Sequence, residues 1–94
     1  VMFSRRTTLD IMHDILQLCQ IPRKKTYIMY QSNLSFYQLR KYLEMLISEK
    51  LLEELNINGR ILFQATEEGK RFLSDYKRFG MIANGTRSRT NSGP

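Results

Sequence analysis

The stretch KTYIMYQSNLSFYQLRKYLEMLISE, residues 25–49, decides the fold. In its second half Ser35 is followed three residues later by Gln38. That spacing is a capping box, in which each side chain satisfies the other residue's free backbone N–H, so a helix should begin there and run to about Glu49. Phe36, Leu39, Leu43, Leu46 and Ile47 recur at steps of three and four, which returns them to one side of that helix as its buried face. With Leu39 at the centre of that side, turns of roughly 100° per residue point Tyr37, Lys41, Glu44 and Ser48 outward and leave Gln38, Arg40 and Met45 at the flanks. The first half predicts a shorter helix capped by Thr26 and running through Gln31, with Ile28 and Met29 buried. Ser32-Asn33-Leu34 then interrupts the pattern as a turn.

Upstream, Thr7 and Thr8 precede Leu9, Met12, Ile15, Leu16 and Cys19, an apolar stripe that predicts a helix over about 8–20, with Asp10 near its positive end. Pro22 biases Ile21 away from helical geometry, and Arg23-Lys24-Lys25 forms a basic connector with room for one very short strand. Downstream, Leu51–Ile57 and Arg60–Ala65 read as strands joined by Asn58-Gly59, a pair suited to a type I′ hairpin turn. That turn sets Ile57 opposite Arg60 and Leu55 opposite Leu62. It assigns Leu52, Ile61, Phe63 and Ala65 to the core face and leaves Leu55, Ile57 and Leu62 as an outer patch for the last helix or a second subunit to cover. Thr66 caps that last helix, with Glu67 and Glu68 in its first turn, Phe72, Leu73, Tyr76 and Phe79 as its stripe, and Gly80 as its stop. The expected organisation is a flexible basic N-terminus over 1–7, one domain over 8–79, and a flexible tail over 80–94 with almost nothing to bury.

A short helix, a turn and a longer helix make the helix-turn-helix layout, and the hairpin that follows supplies a wing. The fold class is therefore α+β, a winged helix-turn-helix with a two-stranded wing and a C-terminal helix. Residues 25–30, Asn33-Leu34-Ser35-Phe36, Leu39-Arg40-Lys41-Tyr42-Leu43 and Thr66-Glu67-Glu68-Gly69-Lys70 resemble the small winged-helix regulators common in archaea, over about residues 8–79. The resemblance implies an intracellular, nucleoid-associated DNA-binding protein, a transcriptional regulator or chromatin component, that forms a homodimer through its last helix. One residue departs from the family pattern. Lys50 stands where the family tends to place glycine, which implies either mild left-handed strain or a different helix exit.

Composition agrees with a polyanionic partner. Fifteen Lys and Arg against nine Asp and Glu give a formal net charge of +6 over 94 residues. Residues 1–43 carry seven basic residues against two acidic ones, and residues 44–79 carry six against seven, so the excess falls on the half that contains the helix-turn-helix. Under a double-stranded DNA reading, the third helix enters the major groove and presents Ser35, Tyr37, Gln38 and Lys41 first, with Gln38 donating and accepting to adenine, Tyr37 reaching a thymine methyl or a phosphate, Lys41 reaching guanine or a phosphate, and Arg40 reaching the backbone from the flank. Arg23, Lys24 and Lys25 are phosphate-contact candidates, and Arg60 stands at the wing tip near the minor groove or a phosphate. Arg5 and Arg6 form a candidate arm. The structural alternatives are solvated polar positions on an amphipathic helix, an ordinary hairpin charge at Arg60, and a Gln38 spent wholly on its cap. Tyr27, Tyr30 and Tyr42 read as packing residues rather than platforms for single-stranded bases.

Catalysis and cofactors have little footing. His13 and Cys19 are the only residues of their types, and no Gly-rich phosphate loop or paired Cys motif occurs, so neither an enzyme nor a cofactor is expected. Cys19 follows the first stripe as a small buried hydrophobe. No apolar run approaches the 18 or more residues of a bilayer span and no secretory signal is visible, so a membrane partner is not expected and a cytoplasmic setting is. The rival from another class is a winged helix used for protein recognition through the Leu55, Ile57 and Leu62 patch or the Phe72, Tyr76 and Phe79 stripe.

Overall fold

The computed structural model describes the backbone of residues 6–83 and the side chains of residues 6–79. Its elements are α1 (Thr8–Leu18), α2 (Lys25–Ser32), α3 (Phe36–Ser48), β1 (Leu52–Ile57), β2 (Arg60–Ala65) and α4 (Glu67–Ala83). This is the expected order.

Local codes set the helix starts. Thr7 caps α1 in a reciprocal box, its Oγ1 accepting from the Asp10 N–H at 3.1 Å while the Thr7 N–H donates to the Asp10 carboxylate at 3.0 Å. Ser35 caps α3 in the same way with Gln38, as its spacing predicts. The start of α2 differs from expectation. Thr26 lies inside the helix, and the cap residue is Lys24, whose side chain makes no capping bond. The physical reason is that Arg23 is held in the sheet, so the chain leaves it at Lys24 in extended geometry and enters the helix one residue before Thr26. Between α2 and α3, Asn33 takes the left-handed conformation (φ 57°), and the N–H groups of Asn33 and Leu34 close onto the carbonyls of Tyr30 and Met29.

The hairpin register is as predicted, with Ile57 opposite Arg60 and Leu55 opposite Leu62. Asn58 and Gly59 both have positive φ, as a type I′ turn requires. The connector supplies the short strand. Arg23 pairs with Phe63 through two backbone bonds of 2.9 and 2.8 Å, and the Ala65 N–H donates to the Cys19 carbonyl at 2.8 Å, so β2 is flanked on both sides.

One apolar cluster holds the layers together. Ile15 and Leu16 of α1, Ile28 of α2, and Leu39 and Leu46 of α3 are fully buried, and Leu52, Phe63, Ala65 and Leu73 close over them. Each such aliphatic side chain contributes about 1.5–3 kcal/mol of burial. Five expected core positions are not in it, two of them Leu9, exposed in the first turn of α1, and Ile47, exposed on the flank of α3 where it lines an open groove. Phe36 is 54% exposed, because it stands on the rim of the α3 face in the first turn, where Lys25 covers its ring. Ile61 is 43% exposed, because it points the same way as Phe63 but stands opposite Asn56 near the hairpin tip, beyond the helices. Phe79 is exposed because the contact of α4 with α1 is made by earlier turns of the helix, where Tyr76 meets His13 and Asp10. Gly80 does not end α4, which continues to Ala83. A glycine inside a helix costs only about 0.5–1 kcal/mol against alanine, and no proline follows to enforce a stop before that point. The remainder of the expected tail, 84–94, and the N-terminal residues 1–5 lie outside the described residues.

The exit of α3 is where the fold is most constrained. Lys50 is left-handed (φ 64°), and the N–H groups of Lys50 and Leu51 return to the carbonyls of Ile47 and Leu46 at 3.0 and 2.9 Å. This is a Schellman ending with a lysine where glycine is usual. Immediately beyond it, the Leu51 carbonyl accepts from the Thr66 N–H at 3.0 Å, and the Thr66 hydroxyl donates to the Lys50 carbonyl at 2.7 Å while accepting from the Gly69 N–H at 3.0 Å. A Cβ on Gly69 would stand 2.1 Å from the Leu51 oxygen, so only glycine lets α4 start this close. In chemical denaturation Gly69→Ala should lose about 1–3 kcal/mol, the usual range for forced overpacking. Lys50→Gly should gain about 0.5–1 kcal/mol, the relief of a left-handed side chain less the added unfolded-state entropy. A Gly69→Ala protein as stable as the parent would mean that α4 does not start against Leu51.

The last helix is tied to the first by a polar contact. The Tyr76 hydroxyl donates to the Asp10 carboxylate, and the Tyr76 ring stacks on His13 with centroids 4.3 Å apart. The Tyr76 bond, and then the Thr7 N–H, hold the Asp10 carboxyl below its ordinary value, while the same Asp10 bond raises the Tyr76 phenol. A depressed acid contributes stability that is present above its unfolded value near 4 and is lost as pH falls through the folded value. A raised phenol contributes stability present below about 10 and lost as pH rises through its folded value. Tyr76→Phe should therefore be less stable than the parent at pH 7, and the gap should narrow both below about pH 4 and above about pH 10. A gap independent of pH would show that the bond does not form.

Candidate nucleic-acid interface

The outer face of α3 is uncovered. Tyr37 is 69% exposed and Lys41 is exposed beside it, its ammonium 5.6 Å from the Tyr37 ring centroid. The elements packed against α3 use its opposite side, through Leu39, Leu43 and Leu46, as the three-and-four spacing requires. The outward ridge is therefore a consequence of the same pattern that builds the core.

Two grooves border the ridge. On one flank a groove of about 440 Å³ is lined by Thr8 of α1 and by Tyr37, Gln38, Lys41, Tyr42 and Met45 of α3. On the other, a groove of about 300 Å³ brings together Lys25, Phe36, Arg40, Glu44 and Ile47 with Glu54 of β1 and Phe63 of β2. The second groove joins the connector, α3 and the root of the wing into one surface.

The sequence-predicted residues divide between these places. Ser35 and Gln38 are at the start of α3, where the Gln38 Oε1 accepts from the Ser35 N–H at 3.0 Å and the Ser35 Oγ accepts from the Gln38 N–H at 3.1 Å. Both are exposed. Arg40 stands on the connector side of the ridge and meets Glu44 one turn on at 3.4 Å. Lys25 reaches across to α3, its ammonium 4.9 Å from the Phe36 centroid. Arg23 is largely occupied: its Nε donates to the Leu18 carbonyl at 3.0 Å, closing the end of α1, and its guanidinium lies 4.3 Å above the Tyr27 ring. Lys24 is exposed between these two. Arg60 is exposed at the wing tip, next to a turn fixed by the Asn56 carboxamide accepting from the Gly59 N–H at 3.0 Å.

The expectation of a free arm fails at Arg6, whose guanidinium is paired with Asp14 at 3.0 Å, because the turn of α1 that carries Asp14 lies within its reach. Arg5 lies outside the described residues. The tyrosines form no common platform. Tyr27 lies under Arg23 and Tyr42 is packed against the core, whereas Tyr30, expected to pack, is 76% exposed because it falls on the outer side of α2. What the sequence reading missed is the carboxylate pair Glu44 and Glu54 in the connector-side groove. Glu44 was legible from its spacing of four to Arg40, but Glu54 was not, because only the fold brings β1 to that flank.

Among the described residues no group of three or more His, Cys, Asp or Glu side chains could hold a metal ion. Cys19 is fully buried, and burial pushes its thiol up to about 12, which leaves it protonated and unreactive. Among the same residues no helix is long and apolar enough to cross a membrane.

A helix-turn-helix with an exposed second helix, followed by a hairpin and a closing helix, defines a winged-helix protein. Residues 5–84 match the winged helix-turn-helix family, and this chain belongs to that family. Among solved structures it is similar to Sso10a-2, a DNA-binding protein from Sulfolobus solfataricus, with 29% identity over 83% of this chain and 82% of that one, at a TM-score of 0.75. It shares the fold of the PcaV transcriptional regulator from Streptomyces coelicolor, at 18% identity and a TM-score of 0.66 over 87% of this chain, and spans 64% of that protein. It also shares the fold of SSV1 F-93, at 15% identity and a TM-score of 0.62, over 84% of this chain and 97% of that one. No curated protein matches the sequence.

Proposed function

We propose that this protein is a double-stranded DNA-binding regulator or chromatin component that inserts α3 in the major groove and grips phosphates with the connector and the wing. The observation that carries this reading is the uncovered ridge of α3, with Tyr37 and Lys41 open to solvent and Lys25 beside it. The N-terminal residues of a recognition helix meet base edges, and Ser35, Tyr37, Gln38 and Lys41 occupy that end of α3. Lys24, Lys25, Arg40 and Arg60 are the proposed phosphate contacts, Lys24 and Arg60 with exposed side chains and Lys25 and Arg40 lying against Phe36 and Glu44. Arg23 joins them only by giving up its bond to Leu18 or by presenting the edge of its guanidinium. Similarity to a DNA-binding protein from Sulfolobus solfataricus supports the same reading.

The setting proposed is cytoplasmic and nucleoid-associated, with neither enzymatic activity nor a cofactor. A second copy of the chain is the proposed protein partner, seated on the exposed end of α4 at Phe79 or on the outer wing face at Leu55, Ile57 and Leu62.

Four to six phosphate contacts per subunit should give a slope of log affinity against log salt near −4 to −5, at about −0.9 per contact. Lys41→Ala should weaken duplex binding, and should also reduce the magnitude of that slope by about 1 where its ammonium meets a phosphate rather than guanine, whereas Glu68→Ala in α4 should change neither. Mobility shifts across a salt series measure both. Equal effects from Lys41→Ala and Glu68→Ala would contradict the face. No shift at low salt would instead assign the domain to protein recognition, with the outer wing patch of Leu55, Ile57 and Leu62 or the α4 stripe of Phe72, Tyr76 and Phe79 as the contact. Tighter binding to single strands than to duplex would reassign Tyr30 and Tyr37 as stacking groups.

A further inference from the structure

We infer that Glu54, at the root of the wing, competes with DNA phosphates for Lys25 and Arg40, and so weakens duplex binding from within the interface. This rests on the proposed entry of α3 into the major groove. Side chains of β1 alternate between the two faces of the hairpin. Glu54 stands opposite Phe63, and both line the groove of about 300 Å³ that also holds Lys25, Arg40 and Glu44. Glu53 stands opposite Gln64 and turns to the other face, away from that groove. The two neighbours carry the same charge on the same strand, both exposed, and differ in the face they occupy.

Among the described residues no ion pair engages Glu54, so its carboxylate is available to the cations of the groove. Arg40 already meets one carboxylate, that of Glu44 at 3.4 Å, while the Lys25 ammonium lies 4.9 Å from the Phe36 ring centroid. The rest of the lining is apolar, from Phe36, Leu43, Ile47 and Phe63. Charges beside such a surface interact more strongly than in open water. A phosphate entering the groove therefore meets two cations and two anions. Charges that line one groove of this size act on a common occupant within about 10 Å, the Debye length at 0.1 M salt, so the attraction of Lys25 and Arg40 is partly cancelled by Glu54. Glu53, on the other face, has no part in this competition.

The test uses the full chain, one short duplex and a salt series. Glu54→Gln keeps the shape of the side chain and removes its charge. It should bind about threefold tighter or more at low salt, the factor for deleting one unit charge roughly 7 Å from a phosphate even at the dielectric of water. The gain should shrink as salt rises and screening shortens. Glu53→Gln makes the same change in net charge on the opposite face, and should alter binding by less than about twofold. Melting temperatures of both variants should match the parent, since each removes an exposed charge that no ion pair engages among the described residues. Equal gains from the two variants, no gain or a loss from Glu54→Gln, or a gain that does not shrink with salt would each overturn this inference and leave the DNA-binding reading standing. Failure of the parent to bind any duplex at low salt would overturn both.

Discussion

The orientation of the whole domain depends on one backbone oxygen, that of Leu51. It lies immediately after the left-handed exit of α3, accepts the Thr66 N–H, and abuts Gly69 at the start of α4. The hairpin leaves and returns within this junction, since β1 begins at Leu52 and β2 ends at Ala65. Three directions are thus fixed together: where α3 stops, how the wing leaves it, and where α4 starts. The Thr66 hydroxyl reinforces the junction by bonding on both sides, to the Lys50 carbonyl and the Gly69 N–H. A hydroxyl that donates and accepts at once satisfies two backbone groups that would otherwise be left to water. The left-handed lysine is tolerated because the bonds around it over-determine its geometry.

The connector is the second fixed point. Its one-residue bridge from Arg23 to Phe63 ties it to the edge of the two-stranded sheet, and the bond from Ala65 to the Cys19 carbonyl continues that attachment to the end of α1. Lys24 and Lys25 therefore leave a rigid base. Groups held in place before binding lose less conformational freedom when they meet a partner, which raises the affinity obtainable from a small number of contacts. Arg23 supports the arrangement by closing α1 and covering Tyr27, so one of the three basic residues stabilises the platform that presents the other two.

What the sequence made legible was short in range. The Ser35–Gln38 box, the Asn58-Gly59 turn and the Thr66 cap are each written within four residues, and all three form as read. What it concealed was set by distance along the chain. Tyr76 and Asp10 are far apart in sequence, and nothing in either neighbourhood announces their bond. Gly69 stands in a stretch that resembles the family, yet its reason is the Leu51 oxygen, which belongs to another element. Periodicity also overstated burial at the margins. Leu9, Phe36, Ile47, Ile61 and Phe79 have the spacing expected of core positions but stand at the margins of the packed faces and remain exposed. The outward side of α3 was legible because it is the complement of a strong apolar stripe. The acidic contribution of Glu54 to the adjoining groove was not.

That acidic contribution bears on how a polyanion would meet this surface. On the connector side, Arg40 is already partnered by Glu44, and Glu54 adds a second carboxylate to the same groove as Lys25 and Arg40. The local charge there is close to balanced, two cations against two anions, although the N-terminal half of the chain is strongly basic. On the other side of the ridge, the groove lined by Tyr37, Gln38 and Lys41 contains no carboxylate. Exposed pairs such as Arg40–Glu44 are worth little to stability, so the carboxylate is better understood as holding the guanidinium in one direction along the helix. A phosphate approaching that flank must displace or share Arg40, while one approaching Lys41 meets an ammonium with no acidic competitor in its groove. The field of the ridge is therefore asymmetric, with its uncompensated positive charge on the Lys41 side.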